Sequence, residues 1–385
     1  MNLSRRDFLK YSSAATVAVV LSQNIVSCAT EPSMGASTPA PAIPMGKRIS
    51  FEECLALSPQ MMAASSPMIQ SGWSYLKKQI ASINNGDLRR LAEAVYADST
   101  PSFARFDAAG RHEIWEALSA GGYTKQSEDA LFPPIPANIK QEAPYIAGSG
   151  SSYQSHHAYP GGLVTHVASN VMITAAIVDT YINTYGYEVD RDTAVTAQLL
   201  HDLHKPYVFQ WQADASSRPE QSLAGAGEHH VLSLAESLLR KAPADLVIAQ
   251  ACTHTYPGDA ANERQIVGWL KAAAIISGVD PVQYGLLAQD GNTLPLPRKQ
   301  EGSICHLGDH DYVLTYFTVQ WTLPVLEKIA AADYRISQDD LRGRPFNALR
   351  NYVYSQYSAM RLEQDYATGG EEAVRKVVHA LIKNV

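Results

Sequence analysis

The stretch from Gly162 to Lys205 most constrains what this chain can fold into. Gly162 to Tyr185 is almost wholly apolar on one side at the 3.6-residue period, so it predicts a buried helix. Thr193 to His204, which Asp192 can cap, predicts a second helix. His166 interrupts the first, and His201-Asp202 stands at the inner edge of the second. Counting back from His201 by four and seven gives Ala197 and Ala194, a small-residue stripe that admits a close neighbour helix. Imidazole and carboxylate are costly to bury in such places unless they are paired or hold a metal.

The rest of the chain reads the same way. Trp73 to Ile83, Leu88 to Tyr96 (with Asp87 as a cap) and Ala108 to Ala120 predict helices before a proline cluster at Pro133, Pro134 and Pro136. Glu228 to Leu239, Ala244 to His254 (with Pro243 in its first turn) and Glu263 to Ile276 follow Lys205. Residues 291–309 read as a Pro- and Gly-rich loop, and Tyr312 to Ala332, Leu341 to Tyr366 and Glu371 to Ile382 as closing helices. No glycine fingerprint, P-loop, internal repeat or alternating strand is present, so the expected fold is all-α.

Charge and cysteine content exclude several function classes. Residues 1–27 carry a net +2, which leaves 28 basic against 37 acidic residues in the remainder. An acidic surface is unsuited to nonspecific nucleic-acid binding, so no nucleic-acid partner is expected. Cys28, Cys54, Cys252 and Cys305 form no CxxC pair, which argues against a zinc ribbon or redox motif. If Cys28 is modified, the remaining three thiols cannot all pair.

Ser4-Arg5-Arg6-Asp7-Phe8-Leu9-Lys10 resembles a twin-arginine export signal, and the apolar run Ala14 to Leu21 after it is too short to span a membrane. Ile25-Val26-Ser27-Cys28 is similar to a lipobox with Cys28 as the lipidated residue; the alternative is a plain cleaved signal that contains a cysteine. Residues 29–47 hold four prolines among Ser, Thr, Ala and Gly, the composition of a tether. The expected division is a signal at 1–27, a tether at 28–48, a helical extension at 49–150, a core at 151–290 and packed C-terminal helices at 291–385. The expected location is outside the cytoplasm, anchored to the membrane through lipid.

A lone His-Asp pair means little, and the chain supplies its own control in His310-Asp311, which reads as a turn and N-cap. His201-Asp202 differs because it belongs to a series. His166 lies in line with Leu163 and Ile173, His230 above Leu234 and Leu238, His254 after Val247 and Ala251, and Asp280 after Ala273 and Ile276. Imidazole nitrogen and carboxylate oxygen without thiolate suit Fe, Mn, Zn or Ni.

At these residues the sequence resembles the HD superfamily of metal-dependent phosphohydrolases. The pattern His166, His201-Asp202, His230, His254, Asp280 has gaps of 35, 28, 24 and 26 residues, each about a helix and a loop, and Lys205 completes a His-Asp-x-x-Lys form. The resemblance spans about residues 150–290 and implies a helical bundle with extra N- and C-terminal helices. It implies two divalent metals held by those six residues with Asp202 bridging, and hydrolysis of a small phosphorylated substrate such as a nucleotide. Asp202 and Lys205 are the expected catalytic residues, Lys205 either binding phosphate or pairing with a carboxylate. The lead-in His156-His157-Ala158-Tyr159-Pro160-Gly161-Gly162-Leu163 resembles that of a subgroup with exoribonucleases, and His156 and His157 are expected to line the pocket.

Of the adjacent His229 and His230 one is expected to ligate, and His230 is preferred because Ala235-Glu236 and Leu238 follow it. Asp259 and Asp290 are the alternatives to Asp280, which precedes a proline. His204 is expected to be exposed or to support the site from outside, and His112, His306 and His379 have no supporting context. The same six-residue pattern is compatible with a di-iron oxygenase, and the fold with a non-catalytic ligand- or partner-binding module. The sequence does not fix an oligomeric state.

Overall fold

Serine caps set how the chain enters the fold. Ser50, Ser58 and Ser66 each accept a hydrogen bond from a backbone N–H of the first turn that follows, giving Phe51–Ala56, Pro59–Ser65 and Pro67–Ala81 (α1) in close succession. The computed structural model describes residues 43–132 and 142–385. Cys28, most of the expected tether and the cluster Pro133, Pro134 and Pro136 lie outside the described residues.

The central helices are Gly162–Tyr185 (α2), Arg191–Leu200 (α3), Glu228–Leu239 (α4), Ala244–Cys252 (α5), Ala260–Ser277 (α6) and Glu301–Asp309 (α7). Tyr312–Tyr334 (α8), Arg344–Tyr357 (α9) and Ala359–Leu381 (α10) close the chain. The fold is all-α; the described strands are two-residue pairs, Ile49–Ser50 with Ile382–Lys383 and Ser222–Leu223 with Ala226–Gly227.

Several boundaries differ from the sequence reading for local reasons. Asp190, not Asp192, caps α3, and the Asp192 carboxylate instead accepts the Asn85 N–H at 2.7 Å. Likewise Asn85, not Asp87, caps Gly86–Ala97. Pro243 is the N-cap residue of α5 rather than part of its first turn. The predicted helix Leu341 to Tyr366 is broken at Ser358, which has φ of 73°, while Gly370 (φ 63°) only kinks α10. The largest difference is α7: residues 301–309 were expected as loop, and they form a helix.

Residues Ile43–Val385 make one unit with two apolar cores. The first gathers α1 through α7, with α3 packed against α2, α5 and α7. The second gathers α8, α9 and α10 with the two short N-terminal helices. By length and composition α2 would cross a membrane, but 61% of its apolar window is buried inside the protein, so it is a core helix. Cys54, Cys252 and Cys305 are buried free thiols, packed as small apolar groups.

A buried carboxylate ties the N-terminal helices to this core. Glu236 of α4 accepts the Ser102 N–H at 2.7 Å and the Ser102 hydroxyl at 2.8 Å, and pairs with Arg240 at 2.5 Å and His204 at 3.5 Å. Burial pushes its carboxyl up, but these partners outweigh it and hold it at about 2, against an ordinary 4.5. A carboxyl lowered in the folded state stabilises above its unfolded pKa and loses that contribution as pH falls through the folded value. Glu236 is therefore expected to contribute about 3 kcal/mol at neutral pH, lost between about pH 4.5 and pH 2. Urea unfolding across that window should show a steep acid loss in the wild type and a shallower one in Glu236→Gln.

Candidate metal centre

Local backbone geometry brings the first histidine inward. Gly161 enters α2 with φ of 84°. Gly162 lies so close to the lead-in loop that a Cβ there would stand 1.8 Å from the His157 carbonyl oxygen. That carbonyl accepts the Gly150 N–H at 2.9 Å, which folds residues 150–157 across the start of α2. Backbone on both sides cannot yield cheaply, so Gly162→Ala is expected to cost at least about 2 kcal/mol in denaturant unfolding.

His166 of α2 and His201-Asp202 at the end of α3 meet in the buried interior. His166 Nε2 is 3.1 Å, and His201 Nε2 3.2 Å, from Asp202 Oδ2. His201 Nδ1–H donates to the Gln198 carbonyl at 2.7 Å, which leaves Nε2 facing the centre. The other Asp202 oxygen, Oδ1, faces a second set: His229 Nε2 at 3.4 Å and His254 Nε2 at 3.7 Å. The ring of His230 stacks on that of His254 at 3.7 Å. Two groups, His166/His201/Asp202 and His229/His230/His254, each offer ligand atoms that all lie within 4.8 Å of one another. Asp202 spans the two.

Both members of the adjacent pair face inward, although one was expected to. They lie in the first turn of α4, where neighbours about 100° apart can converge on a point beyond the helix end. Glu220 accepts from His229 Nδ1–H, the carboxylate–histidine arrangement that orients a metal ligand.

Asp280 is not part of this centre. It is exposed, and its carboxylate caps the turn after α6 by accepting the Val282 and Gln283 N–H groups at 2.9 and 2.8 Å. Gly278, in the left-handed conformation with φ of 70°, has already closed α6 before Asp280 is reached. Asp259 caps α6 and Asp290 caps a turn in the same manner, so neither alternative reaches the histidines.

The carboxylate that does reach them is Asp309, the last residue of α7. Its Oδ1 is 3.3 Å from His166 Nε2 and 3.5 Å from His201 Nε2, and its Oδ2 is 3.4 Å from His254 Nδ1. The Asn170 amide donates to it at 2.7 Å. Sequence reasoning missed Asp309 because residues 291–309 read as loop. The available signal was Gly302 and Gly308, six residues apart. A Cβ at Gly302 would lie 2.5 Å from Cys252 Cβ, and one at Gly308 2.0 Å from Thr174 Oγ1, so both glycines let α7 press against α5 and α2. His310-Asp311 does form the junction before α8, but Asp311 makes no capping bond and accepts from the Ser169 hydroxyl at 3.2 Å.

Lys205, fully buried, places Nζ 2.5 Å from Asp202 Oδ2 and donates to the Gly150 carbonyl at 2.6 Å. His156 and His157 put their rings 5.2 and 5.3 Å from that of His166, beside the centre. His204 is fully buried, correcting the alternative of exposure, and its Nε2 lies 3.5 Å from the Glu236 carboxylate. His306, which had no context in the sequence, donates to the carbonyl of Thr253, next to His254, at 2.9 Å.

Electrostatics hold the Asp202 and Asp309 carboxylates ionised. Burial pushes His201 down, but Asp202 and Asp309 outweigh it and raise it to about 10, so a bound cation would replace the proton on its Nε2. Burial pushes the Asp202 carboxyl up, but the His201 charge, the Lys205 ammonium and hydrogen bonds from His166 and His201 hold it well below the usual carboxylate range. Burial likewise raises Asp309, and hydrogen bonds from His166, His201 and His254 outweigh it. Burial lowers His254 to about 4 and His230 well below its ordinary value, so both imidazoles are neutral, the form that ligates. Asp202 Oδ1, His230 Nδ1 and His254 Nε2 are buried with no hydrogen-bond partner. Divalent cations fit this donor set of imidazole and carboxylate, which would satisfy those atoms.

Comparison with known proteins adds two findings. Residues 2–22 match the TAT (twin-arginine translocation) pathway signal sequence, which supports export across the cytoplasmic membrane. The chain is also similar to a dihydroneopterin 2',3'-cyclic phosphate phosphodiesterase of Methanocaldococcus jannaschii, 31% identical over 124 residues, 30% of this chain and 49% of the relative. The chain thus spans about half the length of the curated relative it matches. No solved structure gives a significant match.

Proposed function

We propose that this chain is an exported, metal-dependent phosphoesterase of the HD type, acting on a small phosphodiester or cyclic phosphate. The observation that carries the reading is Asp202, buried between two groups of histidines with one oxygen toward each. Similarity to a cyclic-phosphate phosphodiesterase over 124 residues supports the reaction class.

His166, His201 and Asp202 Oδ2 would hold one ion, and His229, His230, His254 and Asp202 Oδ1 the second, with Asp309 closing the set. When bound, divalent metals supply Lewis acidity toward a phosphoryl oxygen and make water acidic enough to be a nucleophile at neutral pH. The chain's own residues do the rest. Glu220 and the Gln198 carbonyl fix the orientation of His229 and His201. Lys205 keeps Asp202 ionised and ties it to the loop that carries His156 and His157, whose neutral rings line the substrate side.

Protein purified without chelator and examined by elemental analysis should carry about two divalent ions per chain and hydrolyse 2',3'-cyclic nucleotides or bis(p-nitrophenyl) phosphate. Less than one ion per chain with no hydrolysis of any phosphoester would sink the reading. Two irons, no phosphoester hydrolysis and substrate-dependent O2 uptake would reassign the chain to the oxygenases.

A further inference from the structure

An exposed apolar face on α8 belongs neither to a core nor to the metal centre. From Tyr312 to Leu326 the helix carries no Asp, Glu, Lys or Arg. Tyr312, Val313, Leu314, Tyr316, Phe317 and Trp321 are all exposed, from 40% to 52% of each residue's surface. The Phe317 and Trp321 rings stack on each other at 5.7 Å, outside any core. Thr315, Thr318, Val319 and Thr322 occupy the buried face of the same helix, so the exposed stripe is not needed for packing. Large aromatic residues without charge are what a membrane–water interface accommodates.

We propose that this face of α8 rests on a lipid surface, with Phe317 and Trp321 at the depth of the headgroups. The length of chain before Ile43 favours this occupant. Fourteen residues, 29–42, separate Cys28 from Ile43. A segment of that length reaches at most about 50 Å. With Cys28 lipidated, as read above, Ile43 cannot leave the bilayer's neighbourhood. Ile43 lines one cavity of about 330 Å³ with Thr315 and Thr318 of the buried face of α8, so the described chain begins about one helix diameter from the exposed stripe.

A second copy of the chain fits the face less well. Six half-exposed side chains present roughly 600 Å², a large patch for a monomer but short of the ~800 Å² per partner of a stable interface. Docking on lipid would also place the metal centre close to the membrane, because the ring of Tyr312, at one end of the stripe, lies 5.5 Å from that of His156.

The test uses residues 29–385, which lack any acyl chain, and vesicles of phosphatidylethanolamine with a minor share of phosphatidylglycerol. The wild type is expected to sediment with the vesicles, and Phe317→Ser/Trp321→Ser to lose at least about tenfold in bound fraction with its helix content and metal content unchanged. A wild type that stays in the supernatant, or a double variant that binds equally, overturns the proposal. So does a dimer in sedimentation equilibrium that the same two substitutions dissociate. Incorporation of alkynyl palmitate in the full chain, abolished by Cys28→Ser, tests the lipid reading separately. Vesicle binding without such labelling upholds the face and removes the anchor.

Discussion

Asp202→Ala is expected to give a folded helical protein that has lost its bound metal and its phosphoesterase activity together. Asp202 places Oδ2 beside His166 and His201 and Oδ1 beside His229 and His254, so its removal reaches both groups at once. Loss of an outer partner of a ligand costs about 10–100-fold in affinity or activity, and loss of a shared ligand should exceed that range. Elemental analysis and phosphodiester turnover on the same preparation would check it. A variant with wild-type helicity that retained full turnover would exclude the proposed mechanism. Retained metal with lost turnover would instead make Asp202 a base rather than a ligand. Lys205, left without its carboxylate in a buried site, is expected to destabilise the variant, so thermal unfolding should accompany the assay.

The second expected result separates Asp280, which the sequence reading favoured, from Asp309, which it did not include among the candidates. Asp309→Ala should lower metal content and turnover by more than about 100-fold, whereas Asp280→Ala should leave both within about twofold of wild type. Asp309 approaches His166, His201 and His254 within 3.5 Å, while Asp280 caps an exposed turn. If Asp280→Ala abolished activity and Asp309→Ala did not, α7 would have to sit elsewhere in the working protein.

The physical reason for that difference lies in what each kind of signal reports. Periodicity and capping are local, and they specified α2, α4 and the first five members of the series. A lead-in of two glycines before α2, a stripe of alanines before His201 and an apolar ladder behind His254 all report how one helix meets a neighbour. By contrast, α7 is nine residues long and includes two glycines, so its intrinsic helix propensity is poor. Tertiary packing against α2 and α5 makes it a helix, because those glycines allow a close approach that more than offsets their propensity.

The sequence by itself determined that the chain is all-α, that it carries an export signal, and that His166 within one apolar helix and His201-Asp202 at the end of another are not left in water. It also brought His230 and His254 into the same series, with His229 weighed against His230. Only the tertiary structure decided which carboxylate completes the set, that both His229 and His230 face inward, that Lys205 is held by Asp202, and that His204 is buried. Each of these depends on which residues distant in sequence share a few ångströms of interior. Asp309 is 107 residues from Asp202 and meets it through the packing of α7 on α2 and α3, a relation that no local pattern encodes.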